Sequence, residues 1–136
     1  MEECIFCKIV KGEIPCAKIY ETQNILAFLD IAPIHKGHTL VIPKEHFPTL
    51  LDLPAELGQE LLETMQKVAK ALQVTVKAEG INIGMNNFKP AGQIVFHAHF
   101  HVIPRYANDG LKLWPQKSYE NNEEMLDLAQ QISASI

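Results

Sequence analysis

The stretch His97-Ala98-His99-Phe100-His101-Val102-Ile103-Pro104 constrains this chain more than any other. In a β-strand successive side chains point to opposite faces, so His97, His99 and His101 would share one face and Ala98, Phe100 and Val102 the other. The result is a row of imidazoles roughly 7 Å apart, backed by an apolar face able to lie on a core. A helix would scatter positions i, i+2 and i+4 around its circumference. The β-branched and aromatic content and the closing proline also favour a strand. Three of the six histidines stand within five residues, a density that packing does not require. Neutral imidazole acts near pH 7 as nucleophile, acid, base or metal ligand. The row therefore admits two chemistries: a metal site made by the row itself, or nucleophilic catalysis by one member tuned by its neighbours.

The remaining chain reads as elements able to hold such a strand. Residues 5–11 form a short helix that stops at Gly12, with Pro15 beyond. Lys18–Tyr20 and Ile25–Leu29 are two strands of a meander joined by a polar turn, and Asp30 ends the second at the sheet rim. His38–Ile42 is a third strand, closed by Pro43. A long helix starts near Pro54, whose missing N–H suits a first helical position. Leu57, Leu61, Met65, Val68, Leu72 and Val76 give it one apolar stripe, a core-forming pattern, and Gly80 is its natural stop. Ile81, Ile83 and Met85 alternate with Asn82, Gly84 and Asn86 in a fourth strand. A last helix from about Asn122 carries Met125, Leu128, Ile132 and Ile136 on one stripe, whereas Trp114-Pro115 has no period to place it. Strands joined by short turns, with one helix between the third and fourth, argue for an α+β fold with an antiparallel sheet.

At 136 residues with 47% hydrophobic and 21% charged content, the chain reads as one domain, 1–136, with a real core. A net charge of −4 offers no general field for a polyanion, which excludes a nucleic-acid polymer as partner and leaves a small anion open. No run approaches the roughly 20 apolar residues of a membrane span, and Met1-Glu2-Glu3 lacks a secretory pattern, so the expectation is a cytoplasmic protein without a membrane partner. In a reducing compartment Cys4-Ile5-Phe6-Cys7 points to a metal or redox site; two further ligands would close a tetrahedral zinc site. Cys16 reads as an ordinary small side chain and His35 as solvated.

The pattern resembles the histidine triad (HIT) family of nucleotide hydrolases and transferases. The signature His, apolar, His, apolar, His, apolar, apolar is matched by His97 to Ile103. Around it stand Ile5-Phe6-Cys7-Lys8-Ile9-Val10 with Ile14-Pro15, Phe28-Leu29-Asp30-Ile31, His38 to His46, and Gly92-Gln93. These blocks occur in family order and make residues 4–106 the core of a HIT-like fold: about five antiparallel strands, one long helix and a C-terminal helix. Residues 107–136 are a less covered tail.

That resemblance implies roles for particular residues. His99 would attack the α-phosphorus of a purine nucleotide and become a nucleotidyl-histidine, which water hydrolyses to release a nucleoside monophosphate such as AMP; covalent catalysis of this kind splits a hard displacement into two easier ones. His101 would bind the phosphate or leaving group, joined by His38. Asn86, Gly92 and Gln93 would line the phosphate side, and Asp30 would accept bonds from the ribose hydroxyls. Ile5, Phe6, Ile9, Phe28 and Ile31 would form the apolar slot for the base. Cys4, Cys7, His46 and His97 would hold one structural zinc ion per chain, and the carbonyl of His97 would orient His99. A homodimer whose sheets join across the interface is implied as well. Ile94 departs from the pattern, because several phosphoramidase-type members carry a serine there. The substrates that compete are nucleoside phosphoramidates and dinucleoside polyphosphates. The competing functions are a nucleotide-binding scaffold with incidental turnover and a zinc hydrolase that uses the histidine row as ligands.

Overall fold

The computed structural model describes residues 3–136; Met1 and Glu2, part of the N-terminus read above for a leader, lie outside the described residues. The chain opens with the short helix α1 (Ile5–Val10), started by Cys4, whose sulfur accepts the N–H of Cys7. The strands β1 (Lys18–Glu21), β2 (Ile25–Leu29) and β3 (Thr39–Pro43) follow as a meander. The helix α2 (Gly58–Thr75) then crosses to β4 (Gly80–Gly84) and β5 (Phe100–Arg105), and α3 (Asn122–Ala134) closes the chain. Five strands form one sheet in the order β1-β2-β3-β5-β4, every neighbouring pair antiparallel. The fold is α+β, as the alternation of strands, turns and one crossing helix implied.

Period-two alternation splits the strands between two cores. Ile25, Ala27, Val41 and Val102 meet Leu61, Met65, Val68 and Leu72 of α2 on one face of the sheet. Leu26, Phe28, Leu40 and Ile42 face the other way and are covered by Phe6 of α1, with Cys16 packed at the margin. Burying each such side chain stabilises the fold by about 1.5–3 kcal/mol. This is why α2 holds together although Gly58 begins it and no side chain caps it. Truncating Val68 or Leu72 would open a cavity between α2 and the sheet.

Several boundaries differ from the expectation, each for a local reason. Pro54 precedes a 3-10 turn, Ala55–Leu57, and the α-helix proper begins at Gly58. The helix stops at Thr75, and Lys77 takes the left-handed backbone expected of a glycine. Gly80 is therefore the first residue of β4, opposite Arg105, rather than a helix stop. The third strand starts at Thr39 and the fourth at Gly80, each one residue from the expected start.

The histidine stretch departs most. Pairing between β3 and β5 runs only from Thr39↔Val102 to Val41↔Phe100. Beyond it Ala98 N–H donates to Phe47 O at 2.6 Å, and Pro43 offers its carbonyl to the ring of His97 rather than to a backbone partner. His97, Ala98 and His99 consequently lie in the bend that leads into β5, and only His101 of the three belongs to the strand. The uniform row becomes a curved one.

Past Arg105 the backbone turns through Asn108 and Gly110, both at positive φ, and runs without regular structure to α3. Asn121 caps α3 by accepting the N–H of Glu124 at 2.8 Å. The apolar stripe of α3 is exposed along its whole length. No helix among the described residues is long and apolar enough to cross a membrane.

Candidate active site and cysteine-histidine cluster

The bend before β5 gives the three imidazoles different hydrogen-bond partners. His97 is completely buried and turns toward α1. Its Nε2–H donates to Pro43 O at 2.7 Å, so its Nδ1 lone pair faces the two cysteines, 3.5 Å from Cys4 Sγ and 3.6 Å from Cys7 Sγ. His46, from the loop after β3, brings its Nδ1 to 3.3 Å from Cys7 Sγ. The four ligand atoms of Cys4, Cys7, His46 and His97 lie within 4.8 Å of one another. A tetrahedron with Zn–S near 2.3 Å and Zn–N near 2.0–2.1 Å has S···N edges of roughly 3.5 Å, so the observed spacing fits that ion. The donor set fits too: two thiols and two imidazoles, with the second nitrogen of His97 already anchored as an orienting partner. The cluster can hold a metal ion and ties α1 to β3 and to the histidine bend.

His99 also packs on Phe6 but has other hydrogen-bond partners. Its Nδ1–H donates to the carbonyl of His97 at 2.7 Å, which leaves Nε2 as the ring's free lone pair. The edge of Phe6 meets the His99 ring, centroids 5.1 Å apart, and Phe6 in turn meets Phe28 at 5.6 Å. His99 is only 8% exposed, and this burial holds its pKa below the ordinary imidazole value, against the opposing pull of the His97 carbonyl and of Asp30.

Beside it runs a hydrogen-bonded relay with a defined direction. Ile34 N–H donates to Nδ1 of His38 at 3.1 Å, so a neutral His38 carries its proton on Nε2. That Nε2–H donates to Nδ1 of His101 at 2.9 Å, so His101 carries its proton on Nε2, directed away from the pair. Burial, with the neighbouring His99 and His38, pushes the His101 pKa down to about 4. Burial also lowers that of His38, with Asp30 opposing. Asp30 Oδ2 stands 3.7 Å from His38 Nε2, while Asp30 Oδ1 accepts the N–H of Ala32 at 2.9 Å in a turn. Gly37 sets up the loop before His38: its φ is +103°, and a Cβ there would stand 3.0 Å from Leu72.

The remaining expected site residues divide. Ile5 is exposed on α1, Ile9 is half-buried against the second core, and Ile31 is 99% exposed at the open rim. Phe6 and Phe28 are buried in the second core, with Phe6 against the rings of His97 and His99. Asn86 packs on Gly92, whose φ of +97° requires glycine. Gln93 needs correction as a residue lining the phosphate side. It is buried, and its amide is spent on the loop, accepting from Phe88 N–H and donating to the Pro48 and Val95 carbonyls. The N–H groups of Gly92 and Gln93 are likewise donated within the loop, to Lys89 O and Phe88 O. This segment shapes the site from behind.

His35 is not merely solvated. It contacts Asp109 at 3.1 Å and stacks edge-on with Tyr106. Asp109 also grips Arg105 through both oxygens, at 2.7 and 3.0 Å, and Arg105 reaches Asn82 at 2.6 Å. Sequence reasoning missed this knot, whose one signal was the Asp109-Gly110 turn after a strand. The knot directs residues 111–115 over β4, where they wall a cavity of about 590 Å³ with His38, His101 and Asn86 at one side and Arg105, Lys112 and Trp114 at the other.

Comparison with known proteins gives the family of the chain. The chain is 45% identical over 137 residues to protein hit of Bacillus subtilis, covering 99% of this chain and 92% of that one. It is 48% identical over 136 residues to the adenosine 5'-monophosphoramidase of Schizosaccharomyces pombe, covering 98% of both. A Streptococcus mutans protein of known structure superposes with a TM-score of 0.93 at 44% identity, over 99% of this chain and 86% of that one. A zinc-bound histidine triad family protein from Mycobacterium smegmatis does so with 0.76 at 41% identity, over 98% of both. The family model described as HIT domain matches residues 11–108, and the chain belongs to the HIT domain family.

Proposed function

We propose that this protein hydrolyses the bond between the α-phosphorus of a purine nucleotide and its leaving group through a nucleotidyl-His99 intermediate, releasing a nucleoside monophosphate such as AMP. The observation that carries the reading is the orientation of His99: Nδ1–H is committed to the His97 carbonyl, and Nε2 presents a lone pair. Low pKa and burial keep that nitrogen unprotonated at neutral pH. The likeness to an adenosine 5'-monophosphoramidase supports the substrate class.

In the first step Nε2 of His99 forms a bond to phosphorus as the bond to the leaving nitrogen breaks. His101 Nε2–H gives the departing amine its proton, and the His38 Nε2–H behind it steadies the donor. The phosphoryl anion supplies the counter-charge that lets the His38–His101 pair hold the extra proton this transfer uses. Water then attacks phosphorus, gives its proton back to the pair, and breaks the His99–phosphorus bond. Asp30 Oδ2 accepts the ribose hydroxyls, and Phe6, Phe28, Ile5, Ile9 and Ile31 receive the base.

Cys4, Cys7, His46 and His97 would hold a structural zinc ion. The ion supplies rigidity at the His97 backbone, and with four protein ligands it leaves no coordination position for substrate. A zinc hydrolase built on the histidine row is disfavoured, since His97 faces the cysteines and the His38–His101 spacing is that of a hydrogen bond. Between the two substrate classes the phosphoramidate is favoured, because Asp109 neutralises Arg105, the cation that would otherwise read a second phosphate. The protein acts as a homodimer in a reducing compartment, its two sheets joined across the interface. Incubation with adenosine phosphoramidate, AMP-lysine and diadenosine polyphosphates side by side tests the reading. The fastest release of AMP is expected from a phosphoramidate, and binding without turnover of any of them would leave a scaffold.

A further inference from the structure

Asp109 makes more bonds than its turn requires. It stands between two exposed residues, Asn108 and Gly110, yet its side chain is only 7% exposed. An acidic residue that merely closes a turn bonds nearby backbone N–H groups, and Asp109 does accept those of Tyr106 and Leu111, at 3.2 and 3.1 Å. In addition it accepts Nε–H and Nη2–H of Arg105, at 2.7 and 3.0 Å, and Nε2–H of His35 at 3.1 Å. Arg105 above all holds this carboxyl far below the usual carboxylate range, so it is anionic at neutral pH. The knot is fixed to the end of α2 as well: the Tyr106 hydroxyl donates to Val76 O at 2.7 Å, and the Tyr106 ring meets His35 edge-on.

Both arms of the knot lead to the proton relay. Along β5, period-two alternation puts Arg105 on the same face as His101, with Ile103 between them. His35 belongs to the turn that carries His38: its carbonyl accepts the His38 N–H at 2.9 Å, and the N–H of its neighbour Ile34 donates to the His38 ring. His38 lies one residue beyond the last β3–β5 pair, Thr39↔Val102, so the ladder does not hold its ring. One hydrogen bond joins the two sides, His38 Nε2–H to His101 Nδ1 at 2.9 Å, and it decides which nitrogen of His101 keeps the proton.

We infer that Asp109 is a positioning residue for the reaction: by gripping His35 and Arg105 it sets the His38 turn against β5 and keeps the His101 proton on Nε2, the nitrogen turned away from His38. The inference rests on the reading of His101 as the group that protonates the leaving amine. Asp109 touches no reacting atom and acts through His35 and His38. Without it the turn is released, Nδ1 of His101 loses its donor, and the His101 proton divides between the two nitrogens.

The test compares the wild type with Asp109→Ala, His35→Ala and His35→Gln, the last of which can still donate to Asp109 through its amide. Single-turnover release of the leaving group is measured with saturating AMP-lysine, whose amine must be protonated, and with saturating adenosine 5′-(p-nitrophenyl phosphate), whose phenolate departs without a proton. In both alanine variants the AMP-lysine rate is expected to fall at least about 30-fold and the nitrophenyl rate less than about threefold, with half-saturating concentrations within about twofold of the wild type. His35→Gln should restore most of the loss. Imidazole 15N spectra give a readout independent of turnover: His101 is expected as one Nε2–H tautomer in the wild type and as a mixture in the alanine variants. If Asp109→Ala does not fold, His35→Ala, at a side chain 25% exposed, carries the test. Equal losses on the two substrates, or no loss on either, overturn the inference and leave the His99 mechanism standing. A His101 tautomer unchanged in the alanine variants does the same. A wild type that releases neither leaving group overturns the hydrolytic reading and the inference with it.

Discussion

At the level of single residues, His99 and Asp30 carry the sharpest expectations. His99→Ala removes the lone pair at phosphorus while the His97 and Cys4 contacts remain, so turnover should fall by at least about three orders of magnitude with AMP binding retained. A rapid-quench experiment with labelled substrate should trap an acid-labile adenylyl group on wild-type His99, and label on His101 instead would reverse the roles. Asp30→Asn keeps the oxygen that accepts from Ala32 but loses the charge facing His38 and the ribose side. Calorimetry should show weaker AMP binding and a smaller preference for AMP over its 2′-deoxy form. An unchanged preference would return Asp30 to a turn residue alone. Both residues are candidates because the triad and its flanking blocks resemble the HIT pattern. Gln93 was not read correctly, because a buried amide that satisfies three backbone groups looks, in a sequence, the same as one facing a ligand.

Among elements, α1 is the one whose place depends on something other than its own packing. Six residues cannot sustain a helix unaided; Phe6 anchors it below, and the cysteine-histidine cluster ties its start to two distant segments. Purified protein should contain about one zinc ion per chain, and Cys4→Ser with Cys7→Ser should release it and lower stability by at least about 2 kcal/mol, read by metal analysis and thermal melting. Zinc retained after both substitutions would remove the quartet. The loop before β3 makes a second case. Gly37→Ala forces a side chain toward Leu72 in a backbone conformation it resists, and His38 follows directly. We expect a lower kcat together with a lower Tm, while the zinc content stays constant. The long helix and the meander were legible because their periods repeat over many residues. The bend at His97–His99 was not, since it is produced by a side chain claiming the Pro43 carbonyl and by Phe47 claiming Ala98 N–H, partners about fifty residues away.

For the whole molecule, the buried imidazoles couple folding to pH. His38, His99 and His101 titrate below the ordinary value of about 6.5. The unfolded chain therefore binds protons that the folded chain refuses as pH drops below 6.5. Stability from these groups is full above that pH and is lost as pH falls toward about 4, the folded value of His101. Urea midpoints should decrease between pH 7.5 and pH 5, and His101→Gln should flatten the decrease; an unaltered slope would place the titration elsewhere. Local pattern was enough to establish the α+β class, the antiparallel meander, the crossing helix, the triad and the cysteine pair, because periodicity, caps and ligand spacing act over a few residues. Three features required the assembled fold. They are the different partners of His97 and His99, the proton direction running from Ile34 through His38 to His101, and the Arg105–Asp109–His35 knot that carries the tail over β4. Each depends on hydrogen bonds between residues far apart in the chain, where no spacing along the sequence records which donor finds which acceptor.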